Sequence, residues 1–160
     1  MQANKIILIL LSSIILHACA WNKKSDSKKE AEILSENNKY SEAINEYQKH
    51  IEDRLKVKGR PEWENPYIYY LDIGDLLLKQ GLVDRAVKKY MEADEKGINP
   101  AWVNDRLRQV ASWYEERGML NDAIDHLKKY RHRDELLFDL MLNRLAKQLV
   151  ENEIKSESSK

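Results

Sequence analysis

The sequence predicts an all-α protein, about three helix–turn–helix units in series closed by a longer C-terminal helix. Three observations lead there. Glycine (5) and proline (3) are scarce among 160 residues while charged residues reach 34%, a composition suited to solvated helix faces rather than to loops. Apolar residues recur at i, i+3, i+4 and i+7 through most of the chain. Three segments also align: Lys39 to Tyr47, Leu82 to Tyr90 and Met119 to Leu127. Each places an alanine (Ala43, Ala86, Ala123) four residues before a large apolar residue (Tyr47, Tyr90, Leu127).

In chain order, Lys5 precedes the apolar run Ile6 to Leu16, broken only by Ser12 and Ser13. Eleven residues are too few to span ~30 Å of hydrocarbon as a helix, which needs ~20. A charged start, a short apolar core and a small residue at its end make a signal-peptide pattern. The run ends Leu16-His17-Ala18-Cys19, and Cys19 is the single cysteine of the chain. This resembles a bacterial lipobox, with His17 standing where Ala, Ser or Thr is usual. The resemblance implies cleavage before Cys19, diacylglycerol on its thiol, and a mature chain of 142 residues after an 18-residue signal. Ala20 after the cysteine implies outer-membrane sorting under the enterobacterial rule. The alternatives are an uncleaved signal anchor, or cleavage elsewhere with Cys19 left as a free thiol. Residues 19–29, rich in Ser and Lys, read as a solvated tether whose four lysines could otherwise rest on acidic headgroups.

The helical region is expected over residues 30–154, with a disordered polar tail over 155–160. Ser41, Asp84 and Asn121 are candidate N-caps for the second helix of each unit. Gly81 and Gly118 suit a left-handed helix end, and Asn38 takes that place in the first unit. Asn65-Pro66 and Asn99-Pro100 read as an N-cap followed by proline at the first helical position. From Ala43 to Ala86 is 43 residues and from Ala86 to Ala123 is 37, so the excess falls in a loop over Lys56 to Glu64. The last helix carries the stripe Phe138, Met141, Leu142, Leu145, Ala146 and Leu149, as an end cap would. Leu136, Leu137 and Leu140 widen it toward a dimer or partner surface.

These units resemble the tetratricopeptide repeat. The second carries Tyr70, Ile73, Gly74, Leu77, Gly81, Ala86, Tyr90 and Ala93. The third carries Leu107, Val110, Ala111, Tyr114, Gly118, Ala123 and Leu127. The first keeps Ala31, Leu34, Asn38, Ala43 and Tyr47, but Ser27 and Glu30 replace apolar residues. The resemblance covers residues 27–131. It implies a right-handed α-α superhelix whose concave face is lined by the first helix of each unit. Carried onto this chain, that face holds Lys28, Glu32 and Ser35, then Ile68, Leu71, Asp72, Asp75, Leu78 and Lys79, then Asp105, Arg108, Gln109, Ser112 and Glu115. Ile68, Leu71 and Leu78 are expected to form an open apolar strip bordered by Asp72, Asp75 and Arg108, suited to an extended or helical segment. Part of this set could instead pack against the long loop or the final helix. Glu32 and Asp72 stand where chaperone-binding members carry Asn, which argues against a reader of C-terminal carboxylates.

Other chemistry finds little footing. The 27 basic and 27 acidic residues cancel, which gives no basis for a nucleic-acid binder. One cysteine excludes an internal disulfide framework and a Cys-based zinc site. There is no GxSxG, P-loop, HExxH or dinucleotide motif. His50 with Asp53 and His132 with Asp134 are single pairs, too few for a catalytic metal, so no metal or cofactor is expected. Trp63, Trp102 and Trp113 read as helix-packing residues or interface anchors. The expected role is non-catalytic: a lipid-anchored lipoprotein at the periplasmic face of the outer membrane, holding a protein partner of the cell envelope. Small lipoproteins of this architecture serve barrel assembly, secretin piloting or cell-wall enzymes. A homo-oligomeric structural lipoprotein, and a small periplasmic enzyme using Asp72/Asp75 or Glu115-Glu116, are the alternatives.

Overall fold

The structure, a computed structural model, describes residues 26–158. The signal segment, Cys19 and most of the expected tether lie outside the described residues. Among the described residues there are seven α-helices and two short 3-10 turns, with no strand. The helices are α1 (Ser27–Glu36), α2 (Tyr40–Leu55), α3 (Tyr69–Lys79), α4 (Val83–Glu95), α5 (Pro100–Glu115), α6 (Leu120–Tyr130) and α7 (Glu135–Ser158). α1 packs on α2, α3 on α4 and α5 on α6, while α2–α3 and α4–α5 contacts join successive pairs. α3 also touches α5, so first helices of adjacent units lie side by side, and α7 closes the array on α6. The first helix begins at Ser27, inside the expected tether, and the last runs to Ser158, past residue 154.

The small residues of the repeat pattern explain the close packing. Ala31, Ala43, Ala86, Ala93, Ala111 and Ala123 have no exposed surface, so neighbouring helix backbones approach without a side chain between them. Gly74 goes further: a Cβ built there would sit 2.2 Å from Cε1 of the fully buried Tyr90. The Tyr90 ring thus occupies the space at the α3 backbone that a larger residue would need.

The turns are tighter than the sequence suggests. Asn38, Gly81 and Gly118 adopt positive φ (59°, 76° and 72°), the left-handed helix end expected of them. The next residue's N–H reaches back five residues: Lys39 to Leu34, Leu82 to Leu77 and Met119 to Tyr114, at 2.9, 2.9 and 3.0 Å. That residue's own carbonyl then accepts from Ala43, Ala86 or Ala123 at 3.0, 2.9 or 3.1 Å. One residue therefore ends one helix and begins the next. Lys39, Leu82 and Met119 are the N-caps, with no side-chain cap bond. Ser41, Asp84 and Asn121 lie inside the first turn and are not the caps the sequence predicted. Where the connection is longer, the prediction stands: Asn65 accepts from Tyr67 N–H at 3.1 Å and Asn99 from Ala101 N–H at 2.9 Å. Asn65 heads a 3-10 turn, Pro66–Ile68, that leads into α3. Its amide also donates to the Lys96 carbonyl at 2.8 Å, tying the loop to the end of α4.

The loop between α2 and that turn is the expected insertion. Arg54 grips Glu64 with two bonds of 2.6 Å, and Arg60 donates to the Arg54 carbonyl at 3.3 Å. At the other end, Asn104 is buried on α5; its amide donates to the Arg133 carbonyl at 3.2 Å and its oxygen accepts from Arg133 Nε at 2.7 Å. Arg133 also pairs with Asp94 at 2.9 Å. These ties set the direction in which α7 leaves α6. Phe138 and Leu145 then bury fully beneath α7, with Met141, Leu142 and Leu149 around them.

Candidate functional site

Two clefts run along the seam between α3 and α5. The larger, about 510 Å³, is lined by Tyr40, Asp75, Leu78, Lys79, Gln109, Trp113, Glu116 and Arg117. The smaller, about 380 Å³, is lined by Ile68, Leu71, Asp72, Trp102 and Arg106. The sequence-predicted residues Ile68, Leu71, Asp72, Asp75, Leu78, Lys79 and Gln109 thus come together along one seam.

Others of the predicted set do not join them. Arg108 lies with its guanidinium 5.8 Å from the Phe138 ring centroid, pairs with Asp105, and is 3.9 Å from Asp134. Glu115 holds Arg144 of α7 through contacts of 2.5 and 2.7 Å. Ser112, one turn from each, is half-buried on the same side of α5. The C-terminal helix has taken this face, the packing alternative the sequence left open. The residues that α5 gives to the clefts are Trp102, Arg106, Gln109 and Trp113, at the i, i+4, i+7, i+11 spacing of one helical face.

The expected apolar strip needs a second correction. Leu71 and Leu78 are 4% and 8% exposed, so they form the floor of the clefts rather than an open surface. The accessible apolar surface belongs to Ile68, partly buried, and to Trp102, 50% exposed.

Arg106 is the residue that sequence reasoning missed. Its Nε lies 2.9 Å from Asp75, and Tyr90 O–H donates to the same carboxylate at 2.9 Å. Asp75 is therefore committed to two partners. The only advance signal was the spacing from Trp102 to Arg106. Burial pushes the Asp75 carboxyl up, opposed by Arg106 and the Tyr90 bond. Burial also pushes the Tyr90 phenol up strongly, with the Asp75 charge adding to it.

Asp72, one turn back, has no ion pair among the described residues. Burial first, and the Asp75 charge second, push its carboxyl from 3.8 up to about 6, against weaker help from Arg106, Lys28 and its own backbone N–H. A carboxyl whose pKa rises on folding disfavours the folded state once ionised. That penalty is absent below the unfolded value, grows as pH climbs through the interval, and is complete above the folded value. Asp72→Asn is therefore expected to raise stability at about pH 7.5 by on the order of 1–3 kcal/mol and to give no gain at about pH 4, as thermal melts at the two values would show.

At the other end of α3, Lys79 is exposed, with its ammonium 5.8 Å from the Tyr40 ring. Arg117 stacks 3.8 Å from Trp113, whose buried indole N–H has no acceptor among the described residues. His126 is half-buried, with Nε2 2.8 Å from the Leu107 carbonyl, and burial lowers its pKa; it serves as a structural donor between α6 and α5. His50 packs edge-on to Tyr69 at 4.8 Å. No cluster of three or more His, Cys, Asp or Glu able to hold a metal occurs among the described residues. No described helix is long and apolar enough to cross a membrane.

No family profile matches the sequence, and no curated protein does. Among solved structures, 27 chains match. One is the TPR2AB-domain:pHSP90-complex of yeast Sti1, with a TM-score of 0.55 and 18% sequence identity. The match covers 81% of this chain and 48% of the other, so the chain spans about half the length of that protein. At this identity the likeness speaks to fold alone, and the fold is that of tetratricopeptide repeats: helix pairs stacked as an α-α superhelix.

Proposed function

We propose that this protein is a non-catalytic adaptor that holds a segment of a partner protein in the α3–α5 seam. The observation that carries the reading is the pair of clefts, where Trp102 and Ile68 stand accessible above a buried leucine floor. Tryptophan is enriched among the residues that carry interface binding energy. The solved structure it matches is itself a complex with pHSP90, which supports a protein partner. The seam is also polar end to end. Asp72 carries a negative charge, unpaired among the described residues, near one end and Lys79 a positive charge seven residues on, about 10 Å along the helix. A segment with a basic side chain opposite Asp72 and an acidic one about 10 Å away complements both. The Asp75 carboxylate, already bound by Tyr90 and Arg106, has no free role as the second member of an acid–base pair.

The adaptor is further proposed to be tethered by lipid at Cys19 to the periplasmic face of the outer membrane, serving an envelope assembly. Support comes from the signal pattern and from Leu16-His17-Ala18-Cys19. The test is co-purification from membranes with the tagged full chain, its Trp102→Ala/Lys79→Glu form and its Cys19→Ser form. Wild type is expected to capture a defined protein, and the groove variant to capture about 30-fold less with an unchanged melt. Cys19→Ser is expected to leave the membrane fraction and to take up no labelled fatty acid. Undiminished capture by the groove variant would place the binding surface elsewhere, and undiminished labelling of Cys19→Ser would end the anchoring proposal.

A further inference from the structure

α7 has two apolar faces, and the fold uses one. The inner face, Phe138 and Leu145 with Met141, Leu142 and Leu149, is packed against the repeats. The outer face carries Leu136, Leu140, Val150 and Ile154, which are 71%, 60%, 53% and 60% exposed. Asn143 and Lys147, also exposed, fall between them. The six positions are spaced 4, 3, 4, 3, 4, the repeat that keeps one stripe facing a second helix along its length. A capping helix that only closed a solenoid would turn a polar face outward.

We propose that this stripe pairs with the same stripe of a second copy, in antiparallel register about Leu145. In that register Leu136 meets Ile154 of the second copy, and Leu140 meets its Val150. Asn143 meets Lys147 of the second copy, so an amide oxygen accepts from an ammonium at both central layers. Self-complementary layers of this kind are what an isologous two-fold contact requires. The parallel register sets Lys147 against Lys147 of the other copy, a like-charge layer that opposes it. Antiparallel pairing also aligns opposite helix dipoles. The stripe spans 18 residues, about 27 Å at ~1.5 Å per residue, with four apolar layers and two polar ones. A central polar layer lowers the affinity but fixes the register. Arg144, which flanks the stripe, is held back by Glu115 of its own chain. The α3–α5 clefts share no residue with the stripe, so each copy would keep its own seam.

The test is the mass of the full chain by sedimentation in density-matched detergent, with cysteine cross-linking to read the register. Wild type is expected to be dimeric and Leu140→Glu/Val150→Glu to be monomeric with unchanged helical circular dichroism, because neither side chain is buried within its own copy. Leu136→Cys/Ile154→Cys is expected to form a covalent dimer on oxidation, while Leu136→Cys alone matches the wild-type background from Cys19. A monomeric wild type, or a Leu140→Glu/Val150→Glu protein that stays dimeric, would overturn the proposal. Cross-linking of Leu136→Cys alone at the efficiency of the double variant would overturn the antiparallel register.

Discussion

Gly74→Ala is expected to destabilise the protein by about 2–4 kcal/mol, net of the ~1 kcal/mol an alanine gains in a helix. The new Cβ would stand 2.2, 2.6 and 2.9 Å from three atoms of the Tyr90 ring. That ring is fully buried, and its hydroxyl is held by Asp75 at 2.9 Å. A fully buried ring anchored at its hydroxyl resists displacement, so α3 and α4 are expected to separate. The strain reaches the clefts, because Asp75 also holds Arg106. A thermal melt is expected to fall by roughly 10 °C. Gly118→Ala is the control. Nothing lies within 4 Å of its Cβ position, and only its φ of +72° opposes a side chain, so a loss of about 1 kcal/mol is expected. Equal losses at the two glycines would contradict the steric account of Gly74.

Phe138→Ala is expected to release α7. Phe138 is fully buried, with the Arg108 guanidinium 5.8 Å from its ring centroid. Removing a buried phenylalanine leaves a cavity at a cost of about 3–5 kcal/mol. The loss should be local, because α7 is the terminal element and the other pairs pack without it. Amide exchange within α7 should quicken by about two to three orders of magnitude while α3 and α4 keep their protection. Glu115 would lose Arg144, whose two bonds hold its carboxyl below the usual range. Uniform acceleration across all helices would instead make α7 part of one cooperative unit.

The parts of this fold that were legible in the sequence are those where one residue type suffices. Ala43, Ala86 and Ala123 are buried, Gly81 and Gly118 take positive φ, and Asn65 and Asn99 cap before proline. The caps at Ser41, Asp84 and Asn121 were not, because the preceding turn fuses a helix end with a helix start and leaves no position for a capping side chain. At α3 and the turn before it, the lining of the seam follows the concave positions that the repeat resemblance implied, with Ile68, Asp72, Asp75 and Lys79 at the spacing of one helical side. Along α5 two faces compete, and spacing cannot say which of them α7 covers. Arg108 went to Phe138 and Arg106 to Asp75, a choice made by packing between elements 29 to 31 residues apart. Leu71 and Leu78 were assigned correctly to the seam but wrongly to its surface, since periodicity gives direction and not depth.

The central claim is that the α3–α5 seam holds a protein partner. The most direct measurement places a photo-activatable aromatic residue at Trp102 or Gln109, which line the two clefts, and at Asp125, exposed on α6. After irradiation of living cells, a single discrete adduct of higher mass is expected from positions 102 and 109 and none from position 125. An adduct equally strong at position 125, or none at either cleft position, would contradict the account.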